Sequence, residues 1–137
     1  MGLMIDSNIL IGFERQAIDV NAFIQGREQE TFFISVISAS ELLHGVQRAK
    51  TRKTRATRLA FVEAVLASMP ILEVDLATAR CHSQLWSDLS KRGNMIGVHD
   101  SWIAATCLAH GLTLVTEDKR EFQRVPGLDL EAWDSEH

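Results

Sequence analysis

Asp6, Glu41, Asp100 and Asp118 each stand near the end of an apolar, strand-like run or near a helix start in this chain of 137 residues. Taken singly, each has an ordinary role. Asp is a favoured residue at a helix N-terminus. Ser38 and Glu41 have the S-x-x-E spacing of a capping box, and Asp118 and Glu121 the related D-x-x-E spacing. Asp100, beside a helix start, would complement the macrodipole. Taken together, the four acids suggest different chemistry. In a parallel α/β sheet every helix that follows a strand begins on the same edge, so acids at those starts converge when their strands are neighbours. Two unit charges about 4 Å apart repel by roughly 4 kcal/mol at an effective dielectric near 20. A fold gains nothing from crowding carboxylates unless something cationic comes between them. Hard oxygen donors, with no Cys or His spacing in support, point to Mg²⁺ or Mn²⁺.

The elements that must position these acids are legible in coarse form. Leu3 to Ile5 reads as a buried strand stopping at Asp6, with a helix from Ser7 and a second short helix over Ala17 to Ile24. Thr31 to Val36, β-branched and aromatic, is a second strand, and a helix opens at Ser38. Leu59, Val62, Val65, Leu66 and Met69 recur at helical spacing until Pro70 ends the helix. Ile71 to Val74 is a short third strand and Leu76 to Leu89 a long helix, closed by Lys91-Arg92-Gly93-Asn94. Met95 to His99 is a loop, Asp100 to Ala109 a helix of small residues stopped by Gly111, and Leu112 to Thr116 a strand. A short helical turn over Glu117 to Phe122 and an edge strand at Leu128 to Leu130 complete the chain. Strands separated by helices indicate a parallel α/β sheet.

Composition narrows the class. The chain is 46% hydrophobic and 23% charged, close to an ordinary globular domain, and its length suits a single domain over residues 1–137. No apolar run approaches the roughly 20 residues of a membrane span, and no secretory signal is visible, so a cytoplasmic location is expected. Cys81 and Cys107 lack metal-ligand spacing and read as free thiols. The net charge of −4 excludes a generally basic nucleic-acid binder, yet Arg48, Lys50, Arg52, Lys53, Arg55 and Arg58 put six cations into eleven residues without an acid.

The patterns Asp6-Ser7-Asn8, Ser38-x-x-Glu41-Leu42, Gly93-x-x-Ile96-Gly97-x-x-Asp100-x-x-Ile103-Ala104-Ala105 and Leu114-Val115-Thr116-x-Asp118-x-x-x-Phe122 resemble the PIN-domain nucleases. The closing Phe122-x-Arg124-Val125-Pro126-Gly127-Leu128 and Trp133 are similar to the VapC toxins of bacterial toxin–antitoxin pairs. The resemblance runs from the first strand to Trp133. It implies a three-layer α/β/α sandwich with a central, mainly parallel sheet, and an acidic site of Asp6, Glu41, Asp100 and Asp118 with Asn8 and Thr116 as polar neighbours. It also implies a metal-dependent endoribonuclease, an antitoxin partner and a homodimer, with tRNA among the RNA targets common in the group. The chain departs from the usual pattern at Ser7, where Thr is common, and at His99, where Asn is frequent. Glu117 beside Asp118 leaves open which of the two faces a metal. His99 either caps locally or reaches the substrate.

A carboxylate-held Mg²⁺ can activate water for in-line attack on a phosphodiester. Phosphates must then be drawn in by cations elsewhere, and the basic run from Arg48 to Arg58 is the main supply, with Lys119, Arg120 and Arg124 as a second set. The same run is equally suited to an antitoxin, or to a solvated helix surface. Two other functions remain open on the sequence. A metal-dependent phosphatase or phosphotransferase is disfavoured because Asp6-Ser7-Asn8 lacks the second Asp of a dehalogenase-type nucleophile motif. A catalytically silent binding module is disfavoured by the presence of all four acids.

Overall fold

The opening apolar run forms β1 (Gly2–Ile5) and takes the centre of a five-stranded sheet. The structure, a computed structural model, describes residues 2–133. β1 pairs in parallel with β2 (Thr31–Ser35) on one side and with β4 (Thr113–Thr116) on the other. β3 (Ile71–Leu72) adds parallel to β2, and β5 (Leu130–Ala132) adds parallel to β4, giving the order β3-β2-β1-β4-β5. A side chain's face alternates along a strand. Leu3 and Ile5 accordingly enter one core and Met4 the other, as Val115 and Leu114 do from the neighbouring strand. A sheet apolar on both faces must be covered on both, which is the three-layer arrangement expected.

One face carries α1 (Ser7–Glu14), α2 (Val20–Ile24), α3 (Val36–Gln47) and α4 (Arg52–Ser68), whose Ile9, Leu10, Phe23, Leu42, Val46 and Val62 join the Leu3–Ile5 core. The other carries α5 (Leu76–Lys91), α6 (Val98–His110) and the one-turn α7 (Lys119–Phe122), with Leu85, Leu89, Ile103, Ala104 and Phe122 in the Met4 core. The small residues Ala104 and Ala105, both fully buried, let α6 lie close to the sheet. Gly111 ends α6 in the left-handed conformation (φ 65°), which glycine adopts without steric cost. Among the described residues no helix is long and apolar enough to cross a membrane.

Several boundaries fall elsewhere than the sequence pattern places them. The second strand stops at Ser35, whose side chain accepts from the Ile37 N–H, so Val36 and Ile37 begin a helix although both are β-branched. Ser38 therefore lies inside the first turn, fully buried, and makes no S-x-x-E box with Glu41. The small-residue helix begins at Val98 behind Gly97, two residues before Asp100, so His99 is helical rather than in a loop. The short helix expected from Ala17 begins at Val20 behind an Asp19 cap, and the third strand ends at Leu72 rather than Val74. The edge strand is displaced to Leu130–Ala132, its pairing beginning where the Leu114 N–H donates to the Asp129 carbonyl at 2.9 Å.

Candidate metal centre

Successive strands run outward from β1 in opposite directions: β2 and β3 on one side, β4 and β5 on the other. The order therefore reverses between β1 and β4, and open α/β sheets place their ligands in the crevice at such a switch point, beyond the carboxyl ends of the strands. Asp6 leaves the end of β1 there and Thr116 the end of β4.

The two are joined directly. The Thr116 hydroxyl donates to Asp6 Oδ2 at 2.7 Å and accepts from Asn8 Nδ2 at 3.2 Å and from the Asp118 N–H at 2.9 Å. A hydroxyl has one proton to give and two lone pairs, so Thr116, fully buried, is saturated. Asp6 Oδ1 accepts from the Ser7 N–H at 2.8 Å. Asn8 closes the loop, its Oδ1 accepting from the Glu117 N–H at 3.2 Å. These bonds fix Asp6 as both the cap of α1 and a member of the acidic edge. Burial pushes its carboxyl up to about 6, and the charges of Glu41 and Asp118 add to that, against the lowering effect of Thr116 and Ser7.

Glu41 reaches the same region from α3. Its Oε1 accepts from the Ser7 hydroxyl at 3.1 Å, and its Oε2 lies 3.4 Å from His99 Nδ1. Asp100, in the first turn of α6, is raised to about 8 by burial first and by a shared proton with Glu121 second, with Asp6 and Glu41 adding repulsion. Glu121 is held low chiefly because its Oε1 accepts from the Gly97 N–H at 2.8 Å. Asp118 caps α7, its Oδ1 accepting from the Glu121 N–H at 3.3 Å.

Asp100, Asp118 and Glu121 each place a carboxylate oxygen within 4.8 Å of the others. Glu117 is exposed and takes part through its backbone alone, so Asp118 is the one of the adjacent pair that joins the group. Oxygen-only donors that meet in this way suit a hard divalent cation, which offsets their mutual repulsion without breaking the cluster. Glu121 is the residue that sequence reasoning passed over. Its spacing from Asp118 is that of a capping pair, and its side chain turns instead to Gly97 on the neighbouring helix.

The basic run divides. Arg55 Nη2 donates to the Ala49 carbonyl at 3.1 Å and Arg58 Nη1 to the Gly45 carbonyl at 3.3 Å, so these two close the C-terminal end of α3. Arg48, Lys50, Arg52 and Lys53 make no side-chain hydrogen bond or ion pair among the described residues. From the second set, Arg124 Nη1 donates to the Met95 carbonyl at 2.9 Å and its charge acts on Glu121.

Comparison with known proteins places the fold in a family. The family model described as PIN domain matches residues 3–128. The chain is 35% identical over 130 residues to the ribonuclease VapC1 of Rickettsia felis, covering 95% of each chain. It is 32% identical over 100 residues to the tRNA(fMet)-specific endonuclease VapC of Salmonella typhimurium, covering 73% of this chain and 74% of that one. The solved VapBC2 complex of Rickettsia felis bound to a promoter DNA fragment contains a chain of the same fold, with a TM-score of 0.86, 29% identity and coverage of 98% and 100%. With the family model spanning nearly all of the sheet and both helical layers, the chain belongs to the PIN domain family, among the proteins named VapC.

Proposed function

We propose that the chain is a metal-dependent endoribonuclease and the toxin member of a toxin–antitoxin pair, with Asp6, Glu41, Asp100 and Asp118 as its catalytic acids and Glu121 beside them. The observation that carries this reading is the convergence of Asp100 with Asp118 and Glu121 at the switch point of the sheet, near enough to Asp6 and Glu41 for their charges to act on Asp100. The relatives' names supply the substrate class, RNA, with tRNA the narrower target named for the Salmonella relative. The structural neighbours supply the partner class, since a further one, VapBC-5 of Mycobacterium tuberculosis, is described as a member of the VapBC family of toxin-antitoxin systems. We read the working form as a cytoplasmic homodimer of a single domain over residues 1–137.

Mg²⁺ is the cation that the donor set suits, with Mn²⁺ as a substitute, and when bound it would supply an acidified water and neutralise charge growing on the phosphoryl oxygens. The chain's own residues do the rest. Thr116 and the Ser7 N–H hold the Asp6 carboxylate in one orientation before any ligand arrives, so that binding does not have to order it. Asn8 positions the Thr116 hydroxyl, and Gly97 positions Glu121. The proton on the Asp100–Glu121 pair must leave for both carboxylates to act as ligands, which makes loading depend on pH. Cleavage breaks the bond from phosphorus to the 3′ oxygen and leaves a 5′-phosphate and a 3′-hydroxyl. Incubating purified protein with total tRNA and Mg²⁺, then mapping the new ends, tests the reading. Ends bearing 5′-phosphate that vanish with Asp6→Asn are the expected result. Release of inorganic phosphate without chain cleavage would replace it with a phosphatase.

A further inference from the structure

α3 is a wall between two grooves of different chemistry. On its α1 and α4 side lies a narrow cleft of about 50 Å³ whose lining includes the apolar Ile11, Leu42, Val46 and Val62 beside Glu14, Arg15 and Arg58, and which shares Glu41 and Arg48 with the second groove. On its α6 side lies an open groove of about 490 Å³ lined by Ser40, Glu41, His44, Arg48 and His99, with no apolar side chain among them. Ser40, His44 and Arg48 follow one another at i, i+4 and i+8, which makes them a single stripe along α3. His99 faces the stripe from α6, through its contact with Glu41.

We propose that this α3–α6 groove seats the RNA strand on one side of the scissile bond, with His44 and Arg48 holding the backbone phosphate next along the strand. The proposal rests on the ribonuclease reading and deepens it. Glu41 belongs both to the groove and to the acidic edge, so whatever fills the groove lies against the reacting phosphate. Arg48, the C-cap of α3, stands seven positions beyond Glu41, about 10 Å along the axis, which places Arg48 a nucleotide or two beyond the acids. Among the described residues the side chains of His44 and Arg48 have no partner, and a planar guanidinium matches a phosphate through two parallel N–H bonds. A backbone of phosphates and ribose hydroxyls can satisfy an all-polar groove. A protein segment would leave its apolar side chains unmatched there, and the cleft on the opposite side of α3 suits it better.

The test uses the whole chain with His44→Ala, Arg48→Ala and the double variant. A short fluorescein-labelled single-stranded RNA is titrated in chelator, where nothing is cut, over a range of KCl. Single-turnover cleavage of the same RNA is then followed in Mg²⁺. The double variant should bind about tenfold more weakly, lose about 0.7 from the log–log salt slope for each phosphate contact removed, and raise the half-saturating enzyme concentration with the maximal single-turnover rate close to the parent's. Its melting temperature and its stabilisation by Mg²⁺ should match the parent's, and Arg48→Lys should recover part of the slope. Parental affinity and slope in the double variant, with cleavage intact, would overturn the groove assignment and leave the ribonuclease reading standing. The same outcome with antitoxin binding lost would give the groove to the protein partner. A parent protein that neither binds nor cuts RNA would overturn both.

Discussion

The acids of the sheet edge and the cations of the Arg48–Arg58 run reach their places by different means. Asp6 and Asp118 follow the ends of β1 and β4, and Asp100 and Glu41 sit on helices packed against those strands, so register and strand order decide where they meet. The cations sit on and between two helices at the surface, where rotation about the helix axis and long flexible stems leave many destinations. Two of them, Arg55 and Arg58, end on carbonyls of the α3 terminus rather than toward a ligand. A cluster of like charge held by topology implies a missing counter-charge, whereas a run of like charge on a helix must be sorted residue by residue.

The comparison breaks first at the acids. Asp6→Asn or Asp100→Asn should reduce metal-dependent RNA cleavage by more than about a hundredfold, since even groups that only orient a metal's ligands contribute about 10–100-fold. Near-parental cleavage by a folded, monodisperse variant would remove the acids from the chemistry.

Asp118→Ala separates capping from ligation. Its cap bond is long, at 3.3 Å, so the loss in chelator should be at the small end of about 0.5–2 kcal/mol, partly offset by relief of repulsion. In Mg²⁺ at a hundred times the dissociation constant the parent gains about 2.7 kcal/mol that the variant lacks. For a domain of this size 1 kcal/mol moves the melting temperature by roughly 3–5 °C. The gap between the two proteins should therefore widen several degrees on adding metal, and an equal gap in both conditions would leave Asp118 a cap alone.

The raised carboxyls give a dependence on pH with a definite sign. Asp6 at about 6 and Asp100 at about 8 keep protons in the folded state that the unfolded chain releases near 4. The unfolded state then binds fewer protons, and these two groups lower stability as pH rises through the window from about 4 to 8. In chelator the parent's melting temperature should fall more steeply across that window than that of Asp100→Asn. Adding Mg²⁺ should offset the fall toward the alkaline end, where the ligands are ionised. A parent that falls no more steeply than Asp100→Asn would show that the crowding is not felt.

The smallest effects lie in the basic run and should split in two. Lys50, Arg52 and Lys53 changed together to Gln should leave melting unchanged and lower the salt slope of RNA binding, by about 0.7 for each true phosphate contact. Arg55 and Arg58 changed to Gln should instead lower stability, by about 0.5–1.5 kcal/mol for each lost hydrogen bond, with little change in slope. If all five behave alike, the division drawn from the α3 terminus fails.

Much of the fold was legible because buried parallel strands announce themselves as short apolar runs, as Leu3 to Ile5 and Leu112 to Thr116 do. Boundaries were less so where one segment offered several caps. Ser35 and Ser38 each stand directly before an apolar helical residue, and the cap bond goes to Ser35. In the site, Asp6 looked like a cap and is one, which is why its second role needed its neighbours to be seen. Glu121 stayed hidden for a related reason. The D-x-x-E spacing is the same whether the Glu folds back on its own helix or crosses to Gly97, which stands 24 residues earlier in the chain.

The central position of β1 has a consequence in the timing of synthesis. Asp6 leaves the ribosome early, but the Thr116 hydroxyl that orients it follows 110 residues later, about 5–20 s at ordinary elongation rates. Until β4 is released, β1 has an open edge where β4 belongs, and Asp118 and Glu121 have yet to be made. Every shorter nascent fragment therefore lacks the proposed site. The acids can meet only once β4 and α7 have followed β1 out.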